Sequence, residues 1–274
     1  TTGTRNIAIG FGAYDSSDTE NDNIAIGYNA MTTNGAGAEL NIAIGNYALD
    51  AAVTGDNNVG VGYYALSANT SGHSNTAVGN NVLIANTTGI SNTSIGYNSL
   101  YANTTGSNNT AVGQNALGSN TTAGGNTAVA QYALNANTTG ESNTALGYAS
   151  LYTNTTGAEN TALGYHALFT NATTSNNTAV GHYALRLNVG AKNTAVGDSA
   201  LAANSTGNEN IAVGYEAMTA NTTGTRNLAV GHQAMTGSDT ETDNIAIGYQ
   251  AMNQNNAGGN ENVAVGNYAL DALT

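Results

Sequence analysis

Asn143 to Glu159 reads N-T-A-L-G-Y-A-S-L-Y-T-N-T-T-G-A-E, two short apolar stretches parted by Gly147 and closed by a turn around Asn154 and Gly157. Its common form, N-[TI]-A-[VIL]-G followed three residues on by A-[LM], returns about every 17 residues, at Asn6, Asn23, Asn41, Asn58, Asn75, Asn92, Asn109, Asn126, Asn143, Asn160, Asn177, Asn193, Asn210, Asn227, Asn244 and Asn262. So regular a period builds a stack of equivalent units rather than a globular core around a pocket. The chain therefore reads as one β-solenoid repeat domain, residues 1–274, of about sixteen 17-residue coils.

A strand sends successive side chains to opposite faces. In Asn23-Ile24-Ala25-Ile26-Gly27 the two isoleucines share one face and Ala25 takes the other. The slot of Ile26 is aliphatic in every unit, through Ile9, Val78, Val112, Leu163, Val213 and Val265, which predicts an interior ladder. The alanine slot relaxes only to Gly60 and Ser94, which predicts an opposite face that admits nothing large. In the second stretch Leu49, Leu66, Leu83, Leu100, Leu117, Leu134, Leu151, Leu168, Leu185, Leu201 and Leu270, with Met31, Met218, Met235 and Met252, predict the other wall of the core. Each stretch is too short for a helix, and the recurring glycines are costly in one. The expected class is all-β, a parallel β-solenoid or β-roll with two short strands per coil.

Gly27 and its equivalents, replaced only by Ala130, predict a tight bend with positive φ or a close backbone approach. Asn-Thr-Thr-Gly, as at Asn86, Asn103, Asn137 and Asn221, predicts a second turn in which Asn bonds its own backbone and Gly supplies a left-handed conformation. Stacking sets these Asn and Thr side chains in ladders. One Val and one Leu per coil make a thin core, so self-association through the alanine faces is expected.

At 40% hydrophobic and 8% charged residues, the chain is neither of disordered composition nor membrane-spanning, because its apolar runs are far too short. A net charge of -13 argues against nucleic acid and anionic membrane surfaces as partners. Pro and Cys are absent and Lys occurs once, at Lys192, so neither disulfides nor a cysteine metal site is available. No signal peptide or initiator Met is visible. Thr1 to Ala51 echoes Thr222 to Ala272 thirteen units later, with T-T-G-T-R, S-D-T-E and N-Y-A-L-D-A shared. That echo suggests a stretch of a longer repetitive chain, or a subunit whose open strand edges add end to end.

Candidate sites are few. His73, His166, His182 and His232 pair with no recurrent nucleophile, so no catalytic residue and no cofactor is expected. Asp15, Asp18, Glu20 and Asp22, echoed by Asp239, Glu241 and Asp243, suit calcium by their spacing, yet a solvated acidic loop is the simpler reading. Tyr28, Tyr63, Tyr97, Tyr148, Tyr165, Tyr215 and Tyr249 form a row after the glycine bend, for edge or interface packing, or for stacking on sugar rings. Sequons such as Asn86-Thr87-Thr88 would set sugars along one edge in a glycosylating source. The Thr pairs sit at a turn rather than a flat strand, which disfavours ice binding.

The phrase N-T-A-V-G-x-x-A-L, as at Asn109 to Leu117 and Asn193 to Leu201, resembles the repeat of trimeric autotransporter adhesin heads and is similar to repetitive phage tail fibre shafts. The resemblance implies a left-handed parallel β-roll, assembled as a homotrimer on a cell or virion surface. The unit here is longer by the Asn-Thr-Thr-Gly segment. The functional expectation is an extracellular structural or adhesive fibre, with a host glycan or protein as a possible partner. The alternatives are a filament subunit stacking end to end and a carbohydrate-binding solenoid.

Overall fold

The computed structural model describes residues 3–15, 19–33, 37–51, 53–237, 239–253 and 259–270. The chain divides into two compact units, Thr1–Thr139 and Gly140–Thr274. In the first, β1 (Ile7–Ile9), β2 (Ile24–Ile26), β3 (Ile42–Ile44), β4 (Val59–Val61), β5 (Thr76–Val78), β6 (Thr93–Ile95), β7 (Thr110–Val112) and β8 (Thr127–Val129) follow one another. In the second come β9 (Thr144–Leu146), β10 (Thr161–Leu163), β11 (Thr178–Val180), β12 (Thr194–Val196), β13 (Ile211–Val213), β14 (Leu228–Val230), β15 (Ile245–Ile247) and β16 (Val263–Val265). Within each unit every strand pairs in parallel with the next, and like positions meet: Ile24 with Ile42, Ala25 with Ala43, Ile26 with Ile44. Each unit is a parallel β-solenoid, and no helix occurs among the described residues.

The structure reverses the expected inside and outside of the strand. From β2 onward the central alanine is fully buried, while the flanking aliphatic residues face outward, with Ile95 40% and Leu146 47% exposed. The period of two is kept, and Asn23 points inward in phase with Ala25. The interior is simply too narrow for a second branched column. A Cβ on Gly60, in the alanine slot of β4, would lie 3.2 Å from the Ala65 carbonyl oxygen and 3.5 Å from Leu49. Where Ser94 replaces the strand alanine, Ser99 replaces the facing one, and their hydroxyls meet at 2.6 Å. The expectation that the alanines are kept small for a partner is therefore overturned: they are small for the opposite wall of their own coil.

That wall is the Leu and Met column, fully buried as expected from Met31 to Met252, with Leu270 of the last coil only half-buried. It is not a second strand, which corrects the expected two strands per coil. Asn98 and Leu100 have φ of 55° and 48°, and the same alternation recurs in the other coils. Such left-handed residues cost L-amino acids about 1–2 kcal/mol each. Hydrogen bonds to both neighbouring coils hold them there: the Asn115 N–H donates to Tyr97 of the preceding coil at 3.0 Å, and the Leu117 N–H to Ala133 of the following coil at 3.0 Å.

Two buried asparagine columns complete the core. The Asn109 N–H donates to Asn92 Oδ1 at 3.0 Å, and Asn109 Nδ2 to the Ala123 carbonyl at 2.9 Å. In the turn column Asn86 Nδ2 donates to Asn69 Oδ1 at 2.7 Å and to its own coil's Gly89 carbonyl at 3.1 Å. The bend glycines behave as expected: Gly27 has φ 138°, and a Cβ there would lie 2.6 Å from the Gly45 carbonyl oxygen. The glycine of Asn-Thr-Thr-Gly has a different reason from the one expected. Gly89 has no positive φ but abuts Asn86 Oδ1 and the Gly106 carbonyl oxygen, both 2.4 Å from where its Cβ would stand.

Candidate interaction surfaces

The outward strand face carries an apolar column through each unit. In the first unit its third column runs through Ile9, Ile26, Ile44, Val61, Val78, Ile95, Val112 and Val129. In the second it runs through Leu146, Leu163, Val180, Val196, Val213, Val230, Ile247 and Val265. Beside it, the first strand position is Thr in β5 to β8 and again in β9 to β12, and aliphatic elsewhere. The parallel register spaces both columns by one strand step of about 4.8 Å.

The tyrosine row is exposed, as expected, and several of its rings stack on the ring of an adjoining coil. Phe11 stacks on Tyr28 at 5.6 Å, and Tyr148 on Tyr165 at 5.4 Å, with interplanar angles of 11° and 12°. His182 and His232 fill the same column and stack as its tyrosines do, His182 on Tyr165 at 5.5 Å and His232 on Tyr215 at 5.0 Å. Where two rings stack, the shared face is closed to a sugar. His166 lies one position further along, 4.1 Å from Tyr165 and 4.5 Å from Phe169, with Nδ1 buried and unpartnered. Burial, and then the charges of Arg186 and His182, hold its pKa below the ordinary value. His73 contacts Ser74 at 3.3 Å.

The acidic loops are engaged rather than open. Asp22 takes the Arg5 guanidinium at 2.5 and 2.6 Å, and Asp243 takes Arg226 at 2.6 and 2.7 Å. Hydrogen bonding to those guanidiniums holds both carboxyls below their ordinary pKa. Glu20 and Glu241 are buried at the glycine position of the turn, where the sequence has S-D-T-E for N-T-T-G. Glu241 Oε2 accepts from the N–H groups of Asp239 and Thr240 at 2.9 and 3.0 Å. The glutamate carboxylate thus serves the turn in the absence of the asparagine amide. Asp18 lies outside the described residues, and among those described no group of three or more acidic, His or Cys side chains is placed to hold a metal.

The sequon asparagines are overturned as glycan sites. Asn86, Asn103 and Asn221 are fully buried, with their amides in the ladder. The first threonine of the turn is committed too: Thr70, Thr87 and Thr104 each donate Oγ1 to a carbonyl of the next coil at 3.0–3.1 Å. Sequence reasoning missed the strand-face threonines and the Ser94–Ser99 pair, although both replacements in that pair stand in one coil. A scan against protein-family models and a search of curated proteins find no match to this chain.

Proposed function

We propose that the chain is a structural shaft of an extracellular surface fibre, whose copies associate side by side through the outward strand face. The aliphatic column along that face carries the proposal. Contiguous exposed apolar surface of this kind marks association sites, and here it is continuous through each unit. The sequence resemblance supplies the number, a homotrimer, and the cell or virion surface as its setting. Catalysis has no part in this reading: His166, His182 and His232 sit in aromatic stacks, and Asp22 and Asp243 hold arginines.

Mass measurement in solution across a concentration series tests the proposal. A discrete trimer is expected, and Ile95→Asp with Val112→Asp converts it to a monomer with an unchanged β spectrum. A monomer at every concentration sinks the proposal. Mass that grows without limit favours the end-to-end filament instead.

A further inference from the structure

Of the four basic side chains, three meet a carboxylate of the adjoining coil: Arg5 with Asp22, Lys192 with Glu209 and Arg226 with Asp243. Among the described residues, the fourth, Arg186, has no carboxylate partner. Its guanidinium lies 4.9 Å over the ring of Tyr183. The two form one side of a groove of about 230 Å³, with Leu187, Ser199, Ala202 and Ala203 beside them and Thr219 beyond.

The groove has a cause in the sequence. Tyr183, Arg186 and Leu187 of one coil are followed in the next by Ser199, Ala202 and Ala203, so three large columns drop to small residues together. The coil that carries Tyr183 and Arg186 is itself a residue short, Asn177 being followed by Asn193, so that its Thr178 pairs with Thr194. The backbone lining the notch is already bonded: the Leu187 N–H donates to Ala202, the Ala202 N–H to Ser199 and the Ala203 N–H to Thr219, at 3.1–3.3 Å. Recognition therefore falls on side chains: one cation, the Thr219 hydroxyl, an aromatic ring and an apolar floor. The neighbouring anion, Asp198, is held by His182 at 3.2 Å and Ser199 at 2.7 Å.

We propose that this groove binds a carboxylate-bearing sugar ring, the acidic terminal unit of a surface glycan. Guanidinium matches carboxylate through paired N–H donors. The volume suits a single ring, below the usual range of about 300–1,000 Å³ for larger ligands. A peptide terminus would look for free backbone partners, which the bonded walls do not offer. The groove is built within one chain, so the inference goes beyond the proposed assembly and does not depend on it.

Ligand-observed NMR titration of the full chain tests this, using the methyl glycosides of glucuronate and N-acetylneuraminate. Methyl glucoside, acetate and a tripeptide with a free carboxylate are the comparators. Saturable binding of an acidic glycoside with Kd of about 1 mM is expected, with every comparator at least about tenfold weaker. Arg186→Gln should weaken it about tenfold or more, and Ala202→Leu should fill the groove and abolish binding with Arg186 in place. Arg186 is exposed, so its replacement leaves the fold intact, as an unchanged melting temperature would show. No saturation at about 10 mM, equal binding by acetate or the tripeptide, or an Arg186→Gln protein that binds as the parent does would each overturn the proposal.

Discussion

Ala130 has φ 123° where every other described coil bends on a glycine, such as Gly113 at 129° and Gly147 at 134°. A side chain in that region carries about 1–3 kcal/mol of strain. Ala130→Gly should therefore stabilise the protein by about 1 kcal/mol net of glycine's greater freedom when unfolded, read as a raised melting temperature. Gly113→Ala should do the reverse and more, since its Cβ would lie 2.6 Å from the Ala130 carbonyl carbon. His166 gives a second test. Its folded-state pKa lies below its unfolded value of 6.5, because burial disfavours the charged ring. The stability this contributes is present above pH 6.5 and is lost as pH falls through the lowered folded value. A thermal melt series should show that loss, and His166→Phe should remove it. The Asp22 and Asp243 pairs weaken only in the more acid window below 3.8, since their folded pKa values are depressed from there.

At the scale of the coil, asparagine matters as much as leucine. Removing the Asn109 side chain leaves the Asn126 N–H without its partner in the interior and takes one of two donors from the Ala123 carbonyl, which keeps Asn120 Nδ2 at 3.0 Å. At about 1–3 kcal/mol for the orphaned N–H and about 0.5–1.5 kcal/mol for the bond lost to Ala123, Asn109→Ala should fall in the range of Leu117→Ala, which large-to-small core changes place at about 2–5 kcal/mol. Chemical denaturation of the two variants compares them directly, and a loss below about 0.5 kcal/mol for Asn109→Ala would contradict a structural ladder. The period, the bend glycines and the leucine wall were legible in the sequence. The direction of the strand was not, because alternation is the same whichever face is buried, and hydropathy favoured the wrong one. The clue was the asparagine that keeps phase with Ala25, since a polar residue repeated in every coil can bond to its own kind in the interior. The left-handed second stretch was hidden for another reason: asparagine tolerates that region but fills its slot in only some coils, as at Asn98 and Asn115, leucine has no such preference, and hydrogen bonds to the adjoining coils hold both.

Across the whole molecule, an apolar strand face coexists with a net charge of -13. Association of copies brings those charges together, and salt screens their repulsion with a Debye length falling from about 10 Å at 0.1 M to about 3 Å at 1 M. Raising salt should therefore shift the mass distribution toward the oligomer; a shift toward monomer would assign the contact to ion pairs instead. The one-to-one register of the ladders has a further consequence, for the gene. Because every coil offers its neighbours the same alanine, leucine and asparagine contacts, deleting Asn109 to Gly125 brings Asn92 against Asn126 with each column unbroken. Unequal recombination between repeats can thus alter length one whole coil at a time and leave each product foldable, whereas an insertion out of step with the coil misaligns every column at the joint.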